Sequence, residues 1–192
     1  REERIQGLRI FCEYRDQRSF PLLLPLLDQP CPVERMSAVY ALGRNPCPSA
    51  VQKLVSLLET DDNAYVRRAT AWSLANYDNQ IVLEPLINAL KNDVAAVRLW
   101  SSSSLAEIGN VSLENAQLAA EQLLISLKID NESGVRSNCI WSLCRLFEKL
   151  DNTFQECFVD ECTKIALFDK EPSVMEEAKT ALDSMGMQGF YN

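Results

Sequence analysis

Hydrophobic and polar positions along this chain follow one motif, which recurs about every 31 to 39 residues. Each copy is a polar turn, then Val-Arg, then a stretch of small residues that closes with leucine. A weaker copy runs from Arg4 to Phe11, and a last one over 171–186 has Met175 in place of the arginine. The clear copies are DDNAYVRRATAWSLANY (61–77), NDVAAVRLWSSSSLAEIG (92–109) and DNESGVRSNCIWSLCRLF (130–147), and QPCPVERMSAVYALGRN (29–45) differs only by Glu34 before its arginine.

Counting from the motif arginine reveals a helical period. The third and sixth residues after it are small and the seventh is leucine, so at about 100° per residue they form one stripe along a helix. Small residues in such a stripe let neighbouring helices approach closely. The motif arginines are Arg35, Arg67, Arg98 and Arg136, and the stripe leucines are Leu42, Leu74, Leu105, Leu143 and Leu182. The pattern predicts helices near 3–12, 33–44, 64–76, 95–107, 133–149 and 173–185, which we call the arginine helices.

Leucine-rich segments lie between the motif copies and predict a second set of helices. These segments are 19–28, 48–59, 79–91, 112–128 and 152–167. Pro48 and Pro85 lie near helix starts, where a missing N–H costs little. We call this second set the leucine helices. The two sets together predict an all-α solenoid of about five to six helix pairs that forms a single domain over 1–192.

The motif resembles the HEAT-like repeats named after phycobilin lyases, whose pattern is roughly Asp-x-x-x-x-Val-Arg-x-x-Ala-x-x-Ala-Leu-Gly. The resemblance covers nearly the whole chain and implies a right-handed α-solenoid of HEAT-like helix pairs. The same pattern occurs in bilin lyase subunits, in scaffold proteins and in assembly factors, because it encodes packing. A related family of metal hydroxylases binds iron through His-Glu pairs, and this chain departs from that pattern because it contains no histidine.

Composition narrows the possible functions. The chain has 27 acidic and 19 basic residues and a formal net charge of −8, so a phosphate backbone would be repelled and nucleic acid is not an expected partner. No apolar run approaches the ~20 residues of a membrane span, so no membrane partner is expected. The absence of histidine excludes His-dependent catalytic triads and HExxH zinc sites. Seven scattered cysteines are typical of reduced thiols and predict a cytoplasmic protein.

The candidate binding residues lie on the side of the arginine helices that faces away from the stripe. The fifth residue after each arginine is about 140° round the helix from it and should point away from the core. In a HEAT-like stack this side lines the concave surface, and Tyr, Trp and Arg there are typical of binding hot spots. The alternative interpretation is that these aromatics pack against neighbouring repeats. The predicted partner- or ligand-binding residues are Tyr40, Arg44, Trp72, Asn76, Trp100, Glu107, Trp141 and Arg145, with Ser103 at the fifth position of its copy.

Acidic residues precede three of the motif arginines. Asp62, Asp93 and Asp130 lie five or six positions before Arg67, Arg98 and Arg136. A turn aspartate can cap the coming helix and pair with arginines of its own or the next repeat. We therefore interpret the arginines as structural rather than as an anion site.

Two cysteines precede proline at predicted helix starts and are candidate reactive thiols. At Cys31 and Cys47, free N–H groups and the helix dipole can lower a thiol pKa. One lies within a repeat and the other between repeats, so a joint metal site is not expected. The other thiols are expected to fill the core, among them Cys139, Cys144, Cys157 and Cys162. No catalytic residue and no resident metal is predicted.

Three functional hypotheses follow. The first is a non-catalytic adaptor or scaffold that binds a protein partner through the concave aromatic face. The resemblance implies the second, a phycobilin lyase subunit or bilin chaperone, whose ligand is a bilin and whose partner is a phycobiliprotein. It also implies the third, a partner of an iron–sulfur scaffold protein, in which Cys31 or Cys47 would contact a cluster borne by that partner.

Overall fold

A computed structural model describes residues 2–78 and 80–187 of the chain. Over these residues no strand is present, and the arginine helices and the leucine helices alternate as the sequence predicts. The exception is the predicted leucine helix over 19–28, which is a four-residue α-helix between two 3₁₀ turns. The α-helices are α1 (Glu2–Glu13), α2 (Phe20–Leu23), α3 (Pro32–Arg44), α4 (Val51–Thr60), α5 (Ala64–Leu74), α6 (Leu83–Asn92), α7 (Ala95–Gly109), α8 (Leu113–Ile129), α9 (Ser133–Leu146), α10 (Asn152–Phe168) and α11 (Pro172–Ser184). Short 3₁₀ turns span Gln17–Ser19, Leu24–Asp28, Pro48–Ala50, Gln80–Val82 and Phe147–Lys149. The predicted start of one leucine helix, at residue 79, lies outside the described residues.

Local signals explain where the helices begin. Pro32 and Pro172 occupy the first positions of α3 and α11, where an N–H would have no partner inside the helix. Asn63 caps α5 by accepting a hydrogen bond from the backbone N–H of Tyr65 at 3.0 Å. Ser112 and Asp151 cap α8 and α10 in the same way. The turn residues of the motif therefore determine where one helix ends and the next begins.

The chain divides into two compact units, residues 1–108 and 109–192. In the first unit α3 packs between α1 and α5, and α4 packs on α5 and α6. Ser104 of α7 donates a hydrogen bond to the backbone carbonyl of Ala71 in α5 at 2.7 Å. In the second unit α9 packs on α8 and α11, and α10 packs on α11. Each unit is thus a stack of helix pairs, and the single domain over 1–192 stays a prediction.

The buried stripe confirms the count made from the motif arginines. All five stripe leucines, Leu42, Leu74, Leu105, Leu143 and Leu182, are fully buried. The small residues three and six positions after each arginine or its replacement are also buried: Ala38, Ala41, Thr70, Ser73, Ser101, Ser104, Cys139, Ser142, Ala178 and Ala181. Since these side chains are short, neighbouring arginine helices can pack closely, and larger side chains on the other faces are left to contact solvent.

Candidate functional site

The motif arginines form ion pairs between repeats. Arg35 donates to both carboxylate oxygens of Asp61, Nε to Oδ2 at 2.7 Å and Nη2 to Oδ1 at 2.8 Å. Arg67 binds Asp93 in the same bidentate geometry, with both hydrogen bonds 2.7 Å long. In the second unit Arg136 binds Asp169 at 3.1 and 2.7 Å. We call these pairs the arginine ladder.

Each ladder arginine also binds the turn before its own helix. The Nη1 group of Arg35 donates to the backbone carbonyl of Gln29 at 2.8 Å, and that of Arg67 donates to the carbonyl of Asp61 at 2.7 Å. Arg136 makes the equivalent bond to Asp130 at 3.0 Å. One guanidinium therefore ties the start of its own repeat to the start of the next, in the bidentate geometry that suits arginine and not lysine.

The ladder supports the structural interpretation and corrects its details. Each of these aspartates pairs with the arginine of the preceding repeat, not with its own or the next one. The partner of Arg35 is Asp61 rather than its exposed neighbour Asp62. Burial alone would raise the pKa of Asp61, but hydrogen bonds from Arg35 and from the backbone N–H of Asn63 outweigh it and hold the pKa below its usual value. The ladder carboxylates are thus already bound by arginine.

The predicted aromatic residues Tyr40 and Trp72 lie together in the first unit. Their ring centroids are 5.4 Å apart and the rings are tilted by 55°. Both rings are half-buried, so they pack against each other across α3 and α5 and still reach the surface. A Cβ on Gly43 would lie 2.5 Å from a ring carbon of Trp72. Only glycine, which has no Cβ, avoids this clash. The indole is therefore seated on the backbone of the neighbouring helix.

Two arginines complete this group. The guanidinium of Arg44 lies over the Trp72 ring, 5.3 Å from its centroid. Arg68 donates from Nη2 to the hydroxyl of Tyr40 at 3.2 Å and lies 5.7 Å from the Tyr65 centroid. Positively charged groups at these distances are attracted by the ring faces. We call Tyr40, Arg44, Arg68 and Trp72 the aromatic–arginine cluster.

Arg68 was missed by the sequence analysis. It follows Arg67 directly, at a position that Met36, Leu99 and Ser137 occupy in other copies. A charged residue at a position that is uncharged in the neighbouring copies was the signal that could have identified it. Counting positions within one repeat did not identify Arg68, because its hydrogen-bond partner Tyr40 is 28 residues away.

The second unit carries a smaller group of the same kind. The guanidinium of Arg145 lies over the Trp141 ring at 5.0 Å from the centroid, and both residues belong to α9. They are four residues apart, so they are neighbours on one helix face. Trp141 is 40% exposed and Arg145 is exposed. Among the described residues, each unit thus contains a tryptophan with an arginine over its ring.

The remaining predicted binding residues lie outside these two groups. Trp100 is 36% exposed on α7, and Glu107 is exposed near the end of the same helix. Asn76 is exposed just beyond α5, which ends at Leu74 rather than at 76, and its amide donates to the carbonyl of Ser73 at 3.3 Å. Ser103 is half-buried. A single concave groove that joins all predicted residues stays a prediction.

The two candidate thiols have different surroundings. Cys31 is half-buried at the N-cap of α3. Cys47 is buried, and its Sγ lies 2.9 Å from the hydroxyl of Ser49. Their role as reactive thiols stays a prediction. Among the residues expected to fill the core, Cys139 and Cys162 are buried, but Cys157 is exposed, so that expectation is wrong for Cys157.

Two features are absent from the part of the chain that the structure describes. Residues 2–78 and 80–187 contain no group of three or more cysteine, aspartate or glutamate side chains placed to hold a metal ion. Over the same residues, none of the helices combines the length and the apolar character that crossing a bilayer requires.

The fold and the repeat motif define the class as an α-solenoid repeat protein. The family of HEAT repeats matches residues 1–75 and 51–144, and the chain belongs to this family. A comparison with curated proteins found no match.

Solved structures share the fold. The complex of CpcE and CpcF of phycocyanin lyase from Nostoc sp. PCC7120 matches with a TM-score of 0.67 at 23% identity, over 86% of this chain and 99% of that one. An engineered protein matches with a TM-score of 0.66 at 21% identity, over 94% of this chain and 90% of that one. A designed armadillo repeat protein in complex with the peptide (KR)4 matches with a TM-score of 0.63 at 19% identity, over 98% and 91%. At these identities the similarity establishes the fold alone.

Proposed function

We propose that this HEAT-repeat protein is a non-catalytic adaptor that binds a protein partner through the aromatic side of its arginine helices. The observation that carries the proposal is the way in which the Trp72 side chain is packed. The indole is held by Tyr40 and by the space left at Gly43, yet it remains partly exposed beneath the guanidinium of Arg44. A large ring held rigid at the surface loses little entropy on binding, which is the property of hot-spot tryptophans.

The second unit supports the same proposal. Trp141 is 40% exposed and holds Arg145 over its ring, and Trp100 of the first unit is 36% exposed. Tryptophan and arginine are enriched at protein interfaces because they combine a large contact area with hydrogen-bond donors. Arg35, Arg67 and Arg136 are excluded from this role because their donors are used in the ladder.

A rival surface makes the proposal testable. Ile129 and Phe168, at the ends of α8 and α10, are 72% and 81% exposed. They belong to leucine helices, so a partner that binds there would not use the proposed side. Exposed apolar side chains on both kinds of helix therefore have to be compared directly.

Site-specific photocrosslinking makes this comparison. Benzoylphenylalanine is placed at Trp100 or at Trp141, and in separate variants at Phe168 or at Gln52, which is exposed on α4. The protein is expressed in its native host and irradiated, and the cross-linked protein is identified by mass spectrometry. We expect one defined partner from the two tryptophan positions and none from Gln52. Cross-linking only from Phe168 would reject the aromatic side as the binding surface.

The identified partner is then tested in purified form. We expect Trp72→Ala to weaken binding by about 30-fold, the effect of losing a hot spot of about 2 kcal/mol. Gln52→Ala is the matched control and is expected to bind like the unsubstituted protein. Equal affinity of Trp72→Ala and Gln52→Ala would refute the role given to the cluster.

A linear tetrapyrrole is the alternative occupant of the same side. The fold is shared with the CpcE and CpcF complex, and the aromatic–arginine cluster offers ring faces to a flat ligand. Adding bilin to the purified protein would then change its visible absorbance and quench tryptophan fluorescence. If Trp72→Ala abolishes this change and photocrosslinking recovers no protein, the chromophore-binding function replaces the adaptor.

A further inference from the structure

The positive charges of the aromatic–arginine cluster, which are unpaired among the described residues, indicate which chemical groups its partner carries. Within residues 2–78 and 80–187, no carboxylate lies within ion-pair distance of Arg44 or Arg68, whereas Arg35, Arg67 and Arg136 each bind an aspartate. The difference is informative because the chain carries 27 acidic residues and a net charge of −8.

Arg68 is the more constrained of the two arginines. Its Nη2 group donates to the Tyr40 hydroxyl at 3.2 Å, and its guanidinium lies 5.7 Å from the Tyr65 ring centroid. Its Nε is buried and has no hydrogen-bond acceptor among the described residues. A buried donor on a charged group without an acceptor lowers stability. Because Nε is closed to solvent, a partner would have to bind this guanidinium through its terminal Nη groups. Two aromatic contacts hold this guanidinium in place before any partner arrives.

Arg44 is held differently but with a similar result. Its guanidinium lies over the Trp72 ring at 5.3 Å, and the side chain is exposed. A guanidinium that lies over an aromatic face keeps its N–H groups available around its edge. Arg44 therefore leaves donors beside the partly exposed indole of Trp72, and Arg68 lies at Tyr40, whose ring packs on that indole. The indole itself offers an apolar face.

We propose that the aromatic–arginine cluster recognises an acidic peptide segment of its partner, in which a carboxylate side chain binds Arg68 and Arg44 while an adjacent apolar side chain packs on Trp72. This inference rests on the proposed function and names the chemistry of the partner. A carboxylate supplies the paired acceptors that a guanidinium fits best. A dianionic phosphate would meet stronger repulsion from the net charge of −8, so the carboxylate is the favoured anion.

The test uses the full chain and a defined probe. The probe is an acetylated and amidated peptide of alternating glutamate and leucine, about eight residues long and therefore, at about 3.3 Å per residue, longer than the span of one helix pair. The comparison peptide replaces every glutamate by glutamine. Binding is followed by the ¹⁵N-resolved Nε–H signals of the arginines, which detect weak complexes. We expect saturable shifts of the Arg68 and Arg44 signals and at least tenfold weaker binding of the glutamine peptide.

Variants assign the effect to the cluster. We expect Arg44→Gln with Arg68→Gln to reduce affinity for the glutamate peptide at least tenfold and to remove most of its dependence on salt, because the ion pairs are lost. Arg15→Gln is the matched control, since Arg15 is exposed and lies outside the cluster. Circular dichroism melting of all variants separates lost binding from lost folding. A melted double variant would be replaced by Arg44→Gln alone, whose side chain is exposed.

Two outcomes of the peptide titration would overturn the inference. One is equal binding of the glutamate and glutamine peptides, and the other is the absence of any shift at Arg68. Because this titration needs no host protein, its result is independent of photocrosslinking. A partner that cross-links from Trp100 and binds equally well to the Arg44→Gln, Arg68→Gln variant would refute the carboxylate preference and leave the adaptor function in place. A phosphopeptide that alone shifts Arg68 would replace the carboxylate.

Discussion

Replacing Asp61 by asparagine tests whether the arginine ladder holds consecutive repeats together. The Asp61 side chain is 2% exposed and that of Arg35 is 16% exposed, so the pair is shielded from water. The amide of the substituted side chain would keep an oxygen for the backbone N–H of Asn63, which Asp61 now binds at 2.9 Å. The same amide would turn its NH₂ group toward the guanidinium in place of the second carboxylate oxygen. The substitution therefore removes the ion pair and leaves the turn hydrogen bond intact.

The expected loss is about 3 kcal/mol in the free energy of unfolding. Breaking one side of a buried ion pair costs roughly 3–5 kcal/mol, because the other charge is left without a partner. The lower end applies here because Arg35 keeps its hydrogen bonds to the carbonyls of Gln29 and Pro30 at 2.8 and 3.1 Å. Urea unfolding at neutral pH, followed by circular dichroism, measures the difference. Asp62→Asn is the control and is expected to change stability by less than about 0.5 kcal/mol, since Asp62 is exposed.

The pH dependence has a defined sign. The pKa of Asp61 in the folded protein lies below its ordinary value of 3.8, so the stabilisation is fully present above that value and is lost as the pH falls through the folded pKa. The stability gap between the unsubstituted protein and Asp61→Asn should therefore be constant near neutral pH and narrow in acid. Equal stabilities of Asp61→Asn and Asp62→Asn at neutral pH, or a gap that widens in acid, would refute the reasoning.

Two further substitutions and one labelling experiment have expected results. Gly43→Ala should lower stability by about 1 kcal/mol and alter tryptophan fluorescence, because the added Cβ would lie 2.5 Å from the Trp72 ring and the clash outweighs the gain in helix propensity. Tyr77→Phe should cost about 1–2 kcal/mol in urea unfolding, because the buried hydroxyl donates to a backbone carbonyl of α3 at 3.0 Å. Iodoacetamide followed by peptide mass spectrometry should modify exposed Cys157 rapidly in the native protein, whereas Cys162, which is buried and whose pKa is strongly raised by that burial, should react only after unfolding.

Controls are available for each of these expectations. Gly7→Ala adds a Cβ that would contact nothing within 4 Å, so it should stabilise α1 by about 0.5–1 kcal/mol. A destabilisation equal to that of Gly43→Ala would contradict the clash with Trp72. Tyr65→Phe is the control for Tyr77→Phe, because Tyr65 is 66% exposed, and equal effects would contradict the role of the buried hydrogen bond. Native labelling of Cys162 at the rate of Cys157 would show that the thiol is not protected.

Much of the fold could be predicted because the motif carries its own helical period. The stripe of small residues and leucines is defined by positions three, six and seven after an arginine, and these are neighbours on one helix whatever surrounds them. The spacing of the motif arginines lengthens between Arg98 and Arg136, and the boundary between the two compact units at 108/109 falls within that span.

The candidate site was predicted less completely because its contacts cross repeats. The exposed side of the arginine helices followed from the period, so Tyr40, Trp72 and Trp141 could be singled out. Which of them touch depends on how two helices pack, and this brought Trp72 onto Gly43 and next to Tyr40. Arg68 entered the cluster only through its hydrogen bond to a residue 28 positions away.

The sequence by itself determined the helix pairs, the buried stripe and the residue types on the opposite side, since these depend on interactions within a few residues. The tertiary structure alone decided that Arg35 binds Asp61 and not Asp62, that Cys157 is exposed, and that Arg44 and Arg68 lack a carboxylate within the described residues. These features depend on distances between residues far apart in the chain. Such distances are set by the packing of one repeat on the next, which the local period does not specify.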